Sequence, residues 1–200
     1  MVEKKSLDCF IQARSTSSRL PNKVMKTING KKIIDIIFDR VSRSKNLRKI
    51  IFVIPGNKKN LHLKKYLKKK NYNFFCGPEK NVLKRFYLAG KKLRSKYILR
   101  VTADCPLVDP NLIDKLFRYF KSKKVSYASN TNPPSFPDGF DIEIFDFNSL
   151  KEAFKKTKNI KDLEHVTPFL IRNKKFKKYN LRNKKNLSNY KLSIDSTDDF

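Results

Sequence analysis

Glycine is scarce in this chain, with five residues in 200. None forms a GxGxxG run, and Gly30-Lys31-Lys32 lacks both the upstream glycine and the Ser/Thr of a Walker loop. Kinase, P-loop ATPase and dinucleotide dehydrogenase chemistry therefore lose their usual phosphate cradle. Cysteine is also rare: Cys9, Cys76 and Cys105 are odd in number and show no CxxC spacing. That argues against a disulfide framework or a zinc site, and for a reduced, cytoplasmic compartment. With only His62 and His165 available, no Ser/His/Asp or Cys/His arrangement and no covalent nucleophile emerges. No apolar run approaches the roughly 20 residues of a membrane span. The N-terminal Met-Val-Glu-Lys-Lys-Ser lacks the apolar core of a signal peptide. A soluble cytosolic protein with no membrane partner is expected.

Acidic residues are few, 18 against 47 Lys and Arg, which leaves a net charge of +29. Such a charge suits a polyanionic partner, nucleic acid included. Composition favours a duller cause. Lys, Asn, Ile and Phe, all with A/T-rich codons, make up 86 residues. The lysines are scattered along the chain and form no block. Nucleic acid binding stays open as the less favoured reading.

What is present is an alternation of strands and helices. Lys49–Ile54, Tyr72–Cys76, Tyr97–Val101 and Lys124–Ala128 are short β-rich runs. Between them Ile34, Ile37, Phe38 and Val41 share a helical face, as do Val82, Phe86 and Leu93, or Leu112, Leu116 and Phe120. Asp109-Pro110 reads as an N-cap followed by proline at the first helical position. This predicts an α/β sandwich with a mostly parallel sheet. From 130 to about 147 the rhythm turns β-rich, through an Asn- and Pro-rich loop, the Asp138-Gly139 turn and the alternating Asp141–Phe145 run. A helix capped by Asn148, another over about Asp162–Asn173, and strand-like runs at Phe176–Arg182 and Tyr190–Asp195 close the chain. With no linker and no repeat, residues 1–200 read as one domain with a small β-rich insertion.

Chemistry concentrates at strand ends. The strand from Leu7 runs into a loop carrying Arg14, Arg19 and Lys23, split by Leu20-Pro21. A nucleoside triphosphate carries about four negative charges and needs several such donors converging on one loop. The plainer reading is a solvated basic loop. Asp104 and Asp195 each follow a strand, at the edge where open α/β sheets bind ligands. Together they can hold a hard cation such as Mg²⁺; separately, each is as readily a turn or helix cap. Arg100 lies inside an apolar strand end and needs a partner or an anionic substrate. Asp141 and Glu143 share one face of an extended run, which is either a binding face or a solvent face.

Ala13-Arg14 with Ser18-Arg19-Leu20-Pro21-Asn22-Lys23 resembles the signature loop of the CTP-using sugar cytidylyltransferases, the enzymes that activate ketodeoxyoctonate and acylneuraminates. Asp104-Cys-Pro resembles their metal-binding Asp-x-Pro step. Ile194-Asp195-Ser-Thr-Asp-Asp-Phe resembles their terminal Asp-Thr-Pro-Glu-Asp-Leu motif, with Thr197 in place of proline. Cys76–Tyr87, Arg100–Pro110, Phe136–Phe145 and Glu164–Pro168 follow in the order of the spore-coat polysaccharide biosynthesis protein F branch.

The resemblance implies a three-layer Rossmann-like nucleotidyltransferase sandwich and a Mg²⁺-dependent transfer of CMP from CTP to an acidic sugar, for surface polysaccharide or glycan synthesis. It implies phosphate contacts from Arg14, Arg19 and Lys23, further nucleotide contacts from Ala13, Ser18, Gly77 and Arg85, and metal ligation by Asp104 and Asp195. Arg14, Lys23, Asp104 and Asp195 would then carry the catalysis. Arg100, Asp138, Asp141, Glu143 and His165 would bind the sugar. Glu79 or Arg85 could flank the cytosine, with a structural turn and a snorkelling side chain as the alternatives, and His165 could merely cap or pack. His62, in a Lys-rich helix, is expected at the surface. A homodimer is implied too. Family members usually continue past the Asp195 motif with a closing helix, so the resemblance implies a fragment or a natural truncation at Phe200. The alternatives are a nucleotidyltransferase using another nucleotide or a sugar phosphate, and a non-enzymatic polyanion- or RNA-binding protein on the same fold.

Overall fold

The structure, a computed structural model, describes residues 5–17 and 19–200. The described residues form nine strands: β1 Leu7–Gln12, β2 Thr27–Ile28, β3 Lys31–Lys32, β4 Leu47–Pro55, β5 Phe74–Gly77, β6 Tyr97–Thr102, β7 Tyr127–Ser129, β8 Glu143–Asp146 and β9 Lys178–Asn180. Seven of them form one sheet in the order β5-β4-β1-β6-β8-β7-β9, while β2 and β3 make a small hairpin. Pairing is parallel throughout except at β8, which runs antiparallel to both β6 and β7. The chain leaves β1 for β4 on one side and places β6 on the other. The crevice beyond Gln12 is therefore a topological switch point, where such sheets bind ligands.

Among the described residues seven α-helices cover the two faces: α1 Ile33–Val41, α2 Leu61–Lys69, α3 Val82–Leu93, α4 Pro110–Ser122, α5 Phe147–Lys156, α6 Ile160–His165 and α7 Pro168–Arg172. Strand alternation sorts the core. Leu7, Cys9 and Ile11 of β1 pack with α1, α2 and α4, whereas Phe10 packs with α3, α5 and α7. Asp8 is fully buried on that second side. It is neutralised by Arg48, whose Nε and Nη2 donate at 2.8 and 2.5 Å, and by Ser95 Oγ at 2.5 Å.

Three local expectations change. Helix α5 is capped by Asp146 and not Asn148: the Asp146 carboxylate accepts from Ser149 N at 2.7 Å and Ser149 Oγ at 2.9 Å. The expected helix over 162–173 is two short helices. Pro168 has no N–H to continue the first, and it opens the second. Between them Val166 takes φ 72°, ψ −53°, and Thr167 N donates to His165 O at 2.8 Å. This is a strained γ-turn on a β-branched residue. The run over 190–195 forms one bridge, Asp138 with Lys191, in place of a strand.

Candidate active site

Four chain segments meet at the carboxyl edge of the sheet. The loop after β1 brings Arg14, Ser17, Arg19 and Lys23. The turn after β6 brings Thr102 and Asp104, α3 brings Val82 and Arg85, and the C-terminal segment brings Asp195. With Gln12, Glu164 and His165 they line a cleft of about 210 Å³. At its floor the Lys23 ammonium lies 3.3 Å from Asp104 Oδ2, 3.3 Å from Asp195 Oδ1 and 2.8 Å from the Ile194 carbonyl oxygen. Arg19 Nη2 adds a second cation 3.0 Å from Asp195 Oδ1. Burial raises the Asp104 carboxyl pKa, but Lys23 and hydrogen bonds outweigh it and hold the group below its ordinary value.

This geometry bears on the metal the sequence implies. Two carboxylates separated by 91 positions converge on one cation, beside a backbone carbonyl. An all-oxygen donor set of this kind fits a hard divalent ion such as Mg²⁺. Among the described residues no cluster of three or more His, Cys, Asp and Glu side chains could hold a metal. Asp104 and Asp195 would be its protein ligands, and the remaining positions would fall to substrate oxygens and water.

The loop after β1 is braced from behind. Ser15 N donates to Asn60 Oδ1 at 2.8 Å, and Asn60 Nδ2 donates to Asn57 Oδ1 at 2.7 Å. Glu79 accepts from Asn57 Nδ2 at 2.5 Å and from Thr16 Oγ1 at 3.0 Å. Glu79 is thus tied to the loop, and the Ser15 N–H is engaged by Asn60. His62 is exposed as expected, but its Nε2 shares a 3.2 Å hydrogen bond with Ser15 Oγ. Ala13 is buried at the start of the loop. Ser18 lies outside the described residues.

Arg85 does not snorkel, since only 1% of it is exposed. Nη1 donates to the Pro78 carbonyl at 3.0 Å, and Nε has no partner among the described residues. Burial, and then the neighbouring charge of Arg14, pulls its pKa down to about 10. A buried cation with an unsatisfied donor on a cleft wall is a ready anion site. Gly77 makes room for it: a Cβ there would stand 2.8 Å from Arg85 Cγ. Gly77 supports the wall and does not itself line the cleft.

A second cavity, of about 240 Å³, is lined by Arg100, Thr102, Thr131, Asp141 and Glu143. Thr102 lines both spaces, so the second cavity adjoins the cleft. Arg100 has the partner its position demands: it is paired with Glu143, and its Nε donates to Gln12 Oε1 at 3.1 Å. Glu143, itself buried, also accepts from the Tyr127 hydroxyl at 2.6 Å. Burial first, then Glu143, pushes the Tyr127 hydroxyl pKa far up and keeps it a donor. Asp138 joins neither cavity. Its Oδ2 accepts from Ser193 Oγ at 2.6 Å, and its backbone pairs with Tyr190 and Leu192. It holds the segment that carries Asp195.

Sequence reasoning singled out neither Gln12, Thr102, Glu164 nor Asn60. Gln12 and Thr102 carried a usable signal, since each is a polar residue closing a mostly apolar parallel strand. Asn60 carried none, because its contact with Ser15 spans 45 positions.

Comparison with known proteins shows the family. The family model described as cytidylyltransferase matches residues 9–195. The uncharacterized protein MJ1063 of Methanocaldococcus jannaschii is 35% identical, over 96% of this chain and 79% of its own length. Spore coat polysaccharide biosynthesis protein SpsF of Bacillus subtilis is 28% identical, over 96% of this chain and 82% of its own. The 3-deoxy-manno-octulosonate cytidylyltransferase 2 of Hydrogenovibrio crunogenus is 26% identical, over 81% of this chain and 62% of its own. A solved cytidylyltransferase from Leptospira borgpetersenii superposes with a TM-score of 0.92 at 27% identity, covering 97% of this chain and 83% of the other. With the loop, the paired carboxylates and the sheet order all falling inside the matched span, the chain belongs to the cytidylyltransferase family of enzymes.

Proposed function

We propose that this cytidylyltransferase moves CMP from CTP to a hydroxyl of an acidic sugar, releases pyrophosphate, and uses Mg²⁺ held by Asp104 and Asp195. One observation carries the reading: both carboxylates reach the same ammonium, that of Lys23, at the foot of a cationic loop. This supports a reading in which a metal and a polyphosphate take over the charges that the internal cation balances. The relative named for 3-deoxy-manno-octulosonate supports a sugar acid as acceptor. The relative named for spore coat polysaccharide biosynthesis supports a role in glycan assembly.

In this reading Arg14, Arg19 and Lys23 hold the β- and γ-phosphates and offset charge on the departing pyrophosphate. Arg85 supplies its free Nε–H to an anionic oxygen deeper in the cleft. The bound cation would polarise the α-phosphate and offset charge developing there. The acceptor occupies the second cavity and reaches the α-phosphorus past Thr102, with Arg100 fixing its orientation. Rate enhancement comes mainly from positioning and electrostatics, as in phosphoryl transfer generally.

Incubating the protein with CTP, Mg²⁺ and a panel of sugar acids, 3-deoxy-manno-octulosonate and N-acetylneuraminate among them, tests the reading. Pyrophosphate release together with a CMP-linked product by mass spectrometry is expected. No product from any sugar acid, or equal turnover of all four nucleotides, would overturn it.

A further inference from the structure

We infer that Asp141 is the general base that takes the proton from the attacking acceptor hydroxyl, an assignment that rests on the CMP-transfer reading above. Segment 138–143 carries three carboxylates, and two of them are committed. Asp138 is bound by Ser193, and Glu143 by Arg100 and Tyr127. Asp141 receives no hydrogen bond from any described residue, although it is partly buried and lines the second cavity. A half-buried carboxylate without a donor is costly unless a ligand supplies one. An acceptor hydroxyl in that cavity is such a donor, and Thr102 puts the nucleotide cleft directly alongside.

The charges around it suit the role. Burial disfavours the ionised form most, followed by Asp138, Glu143 and Asp104, while Arg100 opposes them; together they bring Asp141 up to about 6. A base in that range is ionised at neutral pH yet takes a proton more readily than an ordinary carboxylate. The other acids at the site are worse placed. Asp104 and Asp195 are paired with Lys23, and Glu164 lies in the nucleotide cleft. In the step itself the hydroxyl proton passes to the Asp141 carboxylate as the acceptor oxygen bonds to the α-phosphorus. The bond from that phosphorus to the bridging oxygen breaks, and pyrophosphate leaves with the electron pair. Asp141 then returns its proton to water.

The test compares wild type, Asp141→Asn and Asp141→Glu. Each is melted with CTP and Mg²⁺, then assayed for turnover with whichever of 3-deoxy-manno-octulosonate and N-acetylneuraminate the wild type uses. The expected result for Asp141→Asn is a kcat fall of about 10²- to 10³-fold. Its CTP-induced shift in melting temperature and its KM for CTP should stay unchanged, and Asp141→Glu should recover part of the rate. An Asp141→Asn enzyme within threefold of wild type, or one that has also lost the CTP shift, overturns the assignment. A wild type that turns over neither sugar acid contradicts the underlying reading, and the assignment falls with it.

Discussion

The Lys23 ammonium stands 3.3 Å from Asp104 Oδ2, across 81 positions of sequence. The same ammonium lies 3.3 Å from Asp195 Oδ1, so one cation bridges the two carboxylates that the proposed function assigns to a metal. Replacing Lys23 with Met leaves Asp104 and Asp195 facing each other with only the exposed Arg19 as counter-charge. The variant is expected to lose about 1–3 kcal/mol of stability. It should nonetheless bind Mn²⁺ more tightly than wild type when no nucleotide is present. Chemical denaturation and electron paramagnetic resonance of free Mn²⁺ measure the two effects. Unchanged Mn²⁺ affinity would mean that Lys23 does not guard the carboxylates.

Asp104 also sets a pH dependence. Its carboxyl is held below the ordinary value, so its pairing stabilises the fold above about pH 4, the unfolded-state value, and that stability fades as pH falls through the lower folded value. Asp141 has the opposite sign. Raised to about 6, it favours folding below about pH 4 and loses that contribution as pH rises through 6. Asp141→Asn is therefore expected to be more stable than wild type at pH 7.5, by at most about 3 kcal/mol before solvent screening. The difference should shrink towards pH 4. Paired urea melts at the two pH values decide it.

Gly139 is a third point of leverage. It holds φ +103°, and a Cβ there would sit 2.6 Å from the backbone carbon of Leu192 and 2.6 Å from Ser193 N. Gly139→Ala must push away the segment that carries Asp195, against backbone that has little room to yield. The expected outcome is a folded protein that has lost Mg²⁺-dependent stabilisation by CTP. Retention of that stabilisation would separate Asp195 from the metal role.

The loop brace is tested by Asn60→Ala. This change strips the buried Ser15 N–H of its acceptor, at about 1–3 kcal/mol. KM for CTP should rise several-fold more than kcat falls, because the loop is loosened and the reacting groups are untouched. Asp8→Asn serves as the contrast. It breaks a buried pair on the far side of the core and should lower the melting temperature with no change in KM.

Strand-end residues were the legible part of this site. Asp104 and the cations of the first loop could be placed at one sheet edge because chain direction dictates which end of each parallel strand faces the ligand, whereas Asp195 reaches that edge on a segment that forms no strand. The engagement of Asp138 with Ser193 was not legible, nor was Asn60 with Ser15, since both depend on tertiary contacts between loops. Local chemistry misled at two places. Asn148 looked like a cap, but Asp146 stands at the strand end where the helix begins. The apolar spacing over 162–173 looked like one helix, but Pro168 divides it at Val166. Arg85 was ambiguous because burial of a cation follows from the shape of the cleft, which no sequence window contains.

The most direct measurement is a thermal-shift titration with CTP, UTP, ATP and GTP, each with and without Mg²⁺, on wild type and Asp104→Asn. A CTP-selective stabilisation that requires Mg²⁺ and disappears in Asp104→Asn is the predicted result. Equal shifts with all four nucleotides, independent of metal and retained in the variant, would mean that a chain of charge +29 is only collecting anions.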